Sequence, residues 1–146
     1  MRNFKSLFIA SLFMFLGMTS FAQSKIEASN LTESWTLLHS ENGIDMYIQY
    51  GECTMGNVPE AFQYGLIKLV NSNPTEKTIS YSIERYYTDG CVGCNMTEED
   101  LSSIVVSGNS SIIGNCENGF SILLKNPLQS MYLDLTFIQL TSFKIN

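Results

Sequence analysis

The residues best suited to chemistry are the cysteines, and two of them form a Cys-x-x-Cys motif, Cys91-Val92-Gly93-Cys94. Such a pair is the working unit of thiol–disulfide oxidoreductases, where the first cysteine lies at a helix N-terminus that lowers its pKa. Here the pair follows an Asp89-Gly90 turn, and no helical apolar pattern comes after it. Neighbouring carboxylates would also raise a thiol pKa. The sequence therefore predicts no catalytic residues, and an oxidoreductase using Cys91 and Cys94 remains an alternative.

The four cysteines allow three disulfide pairings. We expect Cys91 to pair with Cys94 in a tight loop, and Cys53 to pair with Cys116 across a long stretch of chain. Zinc bound by the four thiolates is the competing interpretation. Structural zinc sites use two closely spaced pairs, however, whereas Cys53 and Cys116 are isolated. We therefore predict two structural disulfides, no metal site and no cofactor.

Four acidic residues close to the Cys-x-x-Cys motif form a weak calcium candidate. Carboxylate oxygens are the ligands that calcium prefers, but this spacing fits no calcium-binding loop such as the EF-hand. Acidic loops are usually just solvated, which is the interpretation we favour. The four residues are Asp89, Glu98, Glu99 and Asp100.

Aromatic residues supply a possible binding surface. Tyr86 and Tyr87 are adjacent, so on a strand one of them must face outward. Together with Trp35 they could stack on sugars or anchor a protein partner. Cross-strand pairing within the sheet is the competing interpretation.

The chain begins with the pattern of a signal peptide. Arg2 and Lys5 form a basic start, residues 6–18 are mostly apolar, and Ser20 and Ala22 provide small residues at the cleavage positions. The apolar run is shorter than the roughly 20 residues that a membrane-spanning helix needs. We expect cleavage after residue 22, no membrane insertion of the mature chain, and export to the periplasm, the cell surface or the medium. The residues around the cleavage position resemble signal peptides of Gram-negative bacteria.

The charge of the chain disfavours two classes of binding partner. The 146-residue chain has a net charge of −6, from 8 basic and 14 acidic residues. Removal of the leader would take away two of the basic residues and make the net charge more negative. Nucleic acid and anionic membrane surfaces are disfavoured because no basic patch could meet them.

Alternation of apolar and polar residues predicts β-structure throughout the remaining chain. Residues 23–33 are polar and are expected to be a flexible lead-in, and residues 34–146 are expected to form one domain. An Asn42-Gly43 turn before an alternating segment predicts a hairpin. Strands with turns between them and no amphipathic helix indicate an antiparallel β-sandwich of about 7–8 strands. The predicted strands cover residues 35–38, 44–50, 61–70, 78–87, 103–106, 110–113, 120–124 and 131–143.

With its leader, its 35–50 hairpin and its alternating 78–87 strand, the chain resembles small exported bacterial proteins of unknown function that have an immunoglobulin-like sandwich. The resemblance implies this fold and indicates no activity. The chain differs from true immunoglobulin domains because no tryptophan follows Cys53 to pack on a bridge to Cys116.

These observations favour an exported, non-catalytic binding or interaction module for an unknown protein or glycan. Besides the oxidoreductase, a structural subunit of a cell-surface assembly is the other alternative, in which an open sheet edge would pair with a partner strand.

Overall fold

The structure is a computed structural model that describes residues 25–54, 58–118, 120–131 and 134–146, with Glu98 described only in its backbone. The predicted signal peptide and the first two residues of the predicted lead-in lie outside this part of the chain. Within the described part, no helix has the length and apolar character that a bilayer crossing requires.

The described residues form ten strands and two 3-10 turns, Ala28–Asn30 and Glu98–Asp100. The prediction of an all-β fold with antiparallel sheets is confirmed. The strands are β1 (Lys25–Glu27), β2 (Thr36–Glu41), β3 (Ile44–Cys53), β4 (Phe62–Asn71), β5 (Lys77–Tyr87), β6 (Gly90–Val92), β7 (Ser102–Val106), β8 (Ser110–Ile113), β9 (Ser121–Lys125) and β10 (Leu135–Ile145).

The strands form two five-stranded antiparallel sheets. Sheet 1 has the order β1-β10-β5-β6, and β7 also pairs with β5. Sheet 2 has the order β2-β3-β4-β8, and β9 also pairs with β4. In each sheet, two short strands in tandem therefore complete one edge: β6 and β7 along β5, and β8 and β9 along β4.

The core lies between the sheets and follows from the period-two pattern. On β3, Ile44, Met46 and Ile48 are fully buried while the intervening residues are partly exposed, as a strand with one buried face requires. Ile67 and Leu69 on β4 and Ile79, Tyr81 and Ile83 on β5 continue the same cluster.

The Asn42-Gly43 turn joins β2 to β3. Both residues have positive φ, 47° and 77°, the conformation that a two-residue turn needs if its twist is to match that of the strands. Glu41 consequently pairs with Ile44, and the register of the predicted hairpin follows.

Two three-residue strands raise the strand number above the predicted eight. β1 lies in the segment expected to be a flexible lead-in, where Ile26 pairs with Ile138 of β10 and is 1% exposed. β6 pairs with the end of β5, where Tyr86 opposes Cys91. Both are too short to show alternation of their own, so only their partners define them.

Candidate functional site

Both disulfides lie where an edge of a sheet is interrupted. Cys91 and Cys94 are bonded between β6 and β7, with their Cα atoms 6.0 Å apart. Cys116, in the loop between β8 and β9, is bonded to Cys53 at the end of β3. These are the two pairs expected from the sequence, and they indicate a non-cytoplasmic environment.

The Cys53–Cys116 bridge acts within sheet 2. β3 pairs with one side of β4 and the β8–β9 edge pairs with the other, so the bridge crosses β4. Cys53 opposes Phe62, and both residues are buried. By the alternation of their strands, however, both side chains lie on the face opposite to that of the core residues. The bridge thus lies on the outer face of sheet 2 and does not join the two sheets.

The Cys91–Cys94 loop has a carboxylate beside it. The two sulfur atoms and a Glu84 carboxylate oxygen all lie within 4.8 Å of one another, and all three residues are half-buried. Cys91 belongs to a strand, and no described helix begins at it. The helix N-terminus that activates an oxidoreductase cysteine is therefore not found at this loop among the described residues, and the loop has one group of each charge beside it, the Glu84 carboxylate and the Arg85 guanidinium near Gly93.

The acidic calcium candidates do not converge in the described part of the chain. The Asp100 carboxylate accepts hydrogen bonds from the Thr97 backbone N–H, at 3.0 Å, and from the Thr97 hydroxyl, at 2.8 Å. These bonds lower the pKa of Asp100 and cap the adjacent 3-10 turn. Among the described side chains, Asp89, Glu99 and Asp100 form no group with metal-ligating spacing, and the side chain of Glu98 is not described.

The three aromatic candidates occupy different parts of the fold. Tyr86 lies on the outer face of sheet 1, stacked on Phe137 with ring centroids 4.3 Å apart. Tyr87 is buried, and its hydroxyl donates to the Leu124 carbonyl across the sandwich at 2.7 Å. Trp35 lies beside Lys68 of sheet 2, whose Nζ is 5.8 Å from its ring. The structure therefore does not join these three residues into one surface.

A concave site, which we call the end cleft, lies at one end of the sandwich. It has a volume of about 350 Å³, within the range of about 300–1,000 Å³ common for ligand sites. Four apolar and four polar residues converge on it from widely separated parts of the chain. They are Ala28, Leu31, Leu124 and Leu135 on the apolar side, and Tyr50, Gln63, Lys125 and Asp134 on the polar side.

The polar groups of the end cleft are suited to hydrogen bonding. The Tyr50 hydroxyl donates to a Glu52 carboxylate oxygen at 2.6 Å. Desolvation, reinforced by this bond, raises the pKa of Tyr50 to about 12, so the phenol stays protonated at neutral pH and cannot act as a base there. Lys125 and Asp134 add one positive and one negative charge, so the charges lining the end cleft balance.

Comparison of the chain with protein-family models, with curated proteins and with solved structures gives no match. The site is consequently defined by its geometry alone. Sequence reasoning missed the end cleft because its walls come from a 3-10 turn and several strands, which meet only when the two sheets pack. Tyr50 is in phase with Ile44, Met46 and Ile48 of β3, and this is the signal in the sequence that places one member of the cleft on the core-facing side of its strand.

Proposed function

We propose that this protein is an exported, non-catalytic binding module that takes its ligand in the end cleft. The observation that carries the proposal is the convergence of four apolar and four hydrogen-bonding side chains on one concave site of about 350 Å³. A binding role requires a concave surface that carries hydrogen-bond donors and acceptors, and the cleft has these features. The two disulfides support export, for which the periplasm, the cell surface or the medium is the proposed location.

The chemistry of the end cleft favours a neutral, hydroxyl-rich ligand such as a sugar unit of a glycan. The ring of Tyr50 and the side chains of Leu31 and Leu135 offer apolar surface for the C–H face of a sugar. Gln63, Lys125 and Asp134 offer donors and acceptors for its hydroxyls. An anionic ligand is disfavoured because the lining holds one positive and one negative charge, and the Glu52 carboxylate bonded to Tyr50 adds a second negative charge.

A protein partner is the second candidate, favoured by a row of residues on the outer face of sheet 2. Leu37, Tyr47, Lys68 and Ile113 are consecutive cross-strand partners on β2, β3, β4 and β8. The Lys68 Nζ lies 5.1 Å from the Tyr47 ring and 5.8 Å from the ring of Trp35, and Ile113 is 50% exposed. Tyr and Trp are enriched among the residues that dominate binding energy at protein interfaces.

The remaining alternatives have weaker support. An oxidoreductase would use Cys91 and Cys94, but no described helix begins at Cys91 to activate its thiolate. A surface-assembly subunit would pair through an open edge, for which β2 is the longest edge strand described, although a register shift between Leu37 and His39 interrupts it. The immunoglobulin-like classification likewise stays a proposal, supported by the two packed antiparallel sheets.

A glycan array followed by calorimetry tests the proposal. We expect Gln63→Ala and Asp134→Ala to weaken binding of the selected glycan about tenfold each, as loss of a hydrogen bond to a ligand would, without changing the folded CD spectrum. Tyr47→Ala is the control, because Tyr47 lies on the outer face of sheet 2, away from the end cleft. If Tyr47→Ala loses binding while the cleft variants retain it, the ligand binds to the outer face of sheet 2 and not in the end cleft. Absence of any glycan binding would overturn the glycan proposal.

A further inference from the structure

The guanidinium of Arg85 lies between the two sheets without a carboxylate partner. Arg85 is the only arginine beyond the predicted leader. Its Nη1 donates to the Leu123 carbonyl of β9 at 2.7 Å, whereas its Nε is buried and has no hydrogen-bond partner among the described residues. No described carboxylate forms an ion pair with it. Arg85 is thus a half-buried cation that no described carboxylate neutralises.

Such an arrangement is costly unless something else satisfies it. Desolvation lowers the pKa of the Arg85 guanidinium, which nevertheless stays positive at neutral pH because arginine titrates only at very high pH. A buried donor without an acceptor destabilises the fold, and more so when the group is charged. An anion beside the guanidinium would compensate its charge.

A second cavity lies against the Arg85 side chain and is separate from the end cleft, with which it shares only Leu124. Its volume is about 70 Å³, whereas a single water needs roughly 10–15 Å³. It opens between the edge strands β6 and β9, and Asn126 and Gln129 at its rim carry amide groups that can donate to an anion. There is therefore room for a group of two oxygens next to the guanidinium.

The Cys91–Cys94 loop forms one wall of this cavity. Val92, between the two cysteines, lines it and opposes Arg85 in the sheet. A Cβ atom built on Gly93 would lie 3.8 Å from Nη2 of Arg85, and Gly93 has a φ of 79°. The disulfide ring thus packs against the guanidinium and fixes the shape of the cavity.

We propose that Arg85 anchors a binding site for a carboxylate group, in the cavity between β6 and β9 whose wall is the Cys91–Cys94 loop. A carboxylate matches the planar fork of a guanidinium and can accept from two N–H groups at once. The carboxylate can belong to a small free acid or to the C-terminus of a peptide that leaves through the open side. This site is independent of the function proposed for the end cleft.

Arginine-selective ¹⁵N labelling and NMR test the proposal directly. At most two arginine Nε–H signals exist, from Arg2 and Arg85, and Arg85→Met identifies the second by its disappearance. We expect sodium acetate to shift the Arg85 signal along a saturable curve, whereas sodium chloride at equal ionic strength leaves it in place. Trialanine with a free C-terminus should also bind if the site accepts peptide termini, and its C-terminal amide should not.

Variants separate the site from general charge effects. Arg85→Lys keeps the charge and loses the planar fork, so we expect acetate to stabilise it thermally at a concentration at least tenfold higher than for the parent protein. Lys77→Met removes one positive charge at the other end of β5 and should leave acetate binding unchanged. A linear, non-saturating acetate response of the Arg85 signal, or equal responses to acetate and chloride, would overturn the proposal.

Discussion

The side-chain amide of Asn71 on β4 donates to the Val106 carbonyl of β7 at 3.0 Å and so joins sheet 2 to sheet 1. The same amide donates to the carbonyls of Thr75 and Ser107 at 2.9 and 3.1 Å, and Asn71 is 1% exposed. A buried side chain whose donors are fully used fixes how the sheets meet at this end of the sandwich.

Removing the Asn71 amide should therefore destabilise the fold. We expect Asn71→Ala to lower the free energy of unfolding by about 2–3 kcal/mol, because buried carbonyls lose their donor. Urea unfolding measures this free energy. The control is Asn146→Ala, the same substitution at an exposed residue, which should change the free energy of unfolding by less than about 0.5 kcal/mol. Equal effects of the two substitutions would show that the amide does not join the sheets.

The two disulfides should contribute very different amounts of stability. The Cys53–Cys116 bridge closes a separation of 63 residues and the Cys91–Cys94 bridge one of 3. In the chain-entropy model, replacing both cysteines of the long bridge by alanine costs roughly 4 kcal/mol, and replacing those of the short bridge less than 2 kcal/mol. Chemical unfolding of the two double variants measures the difference, and the opposite ranking would contradict this assignment.

The interruption between β8 and β9 should require glycine at position 114. The Gly114 N–H donates to the Ile67 carbonyl at 2.7 Å, and a Cβ at this position would fall 1.8 Å from the Phe120 carbonyl oxygen. We expect Gly114→Ala to cost about 3 kcal/mol or more, because backbone must move.

Gly51→Ala is the matched control for that substitution. Its new Cβ would meet only the end of the flexible Leu66 side chain, at 2.9 Å, so the loss should be about 1 kcal/mol. Thermal unfolding compares the two variants, and a Gly114→Ala protein as stable as Gly51→Ala would contradict the described path of the β8–β9 loop.

Alkaline pH should destabilise the protein through its buried tyrosines. Burial raises the pKa of Tyr81 to about 12, whereas an unfolded tyrosine titrates near 10. Between these values the unfolded state has released the proton that the folded state retains, so stability falls as pH rises from about 10 to 12. Tyr81→Phe should flatten this part of the stability curve, measured by urea unfolding at each pH. An unchanged slope in the variant would show that Tyr81 does not contribute.

The sequence predicted the elements whose pattern is local. Ile79, Tyr81 and Ile83 alternate with polar residues, and β5 follows from that alternation. The hairpin of β2 and β3 follows from Asn42-Gly43, because the turn itself demands positive φ. Each of these predictions depends on neighbours a few residues apart.

Features that depend on distant partners were not predictable. β1 is a strand only because Ile26 meets Ile138, far along the chain, and a polar composition had indicated a flexible segment. The alternation of β5 places Tyr87 on the core face and Tyr86 outward, but the partner of the Tyr87 hydroxyl, the Leu124 carbonyl of β9, follows from no local pattern. The end cleft and the unpaired guanidinium of Arg85 likewise exist only because two sheets meet, which no local pattern describes.

The most direct test of the proposed binding function is a map of amide chemical-shift changes on titration with the glycan that binds most tightly. The account predicts that the perturbed amides cluster around Leu31, Tyr50, Gln63, Lys125 and Leu135, and that the outer face of sheet 2 is unaffected. Shifts centred instead on Tyr47 and Lys68, or no saturable shifts with any glycan, would contradict it.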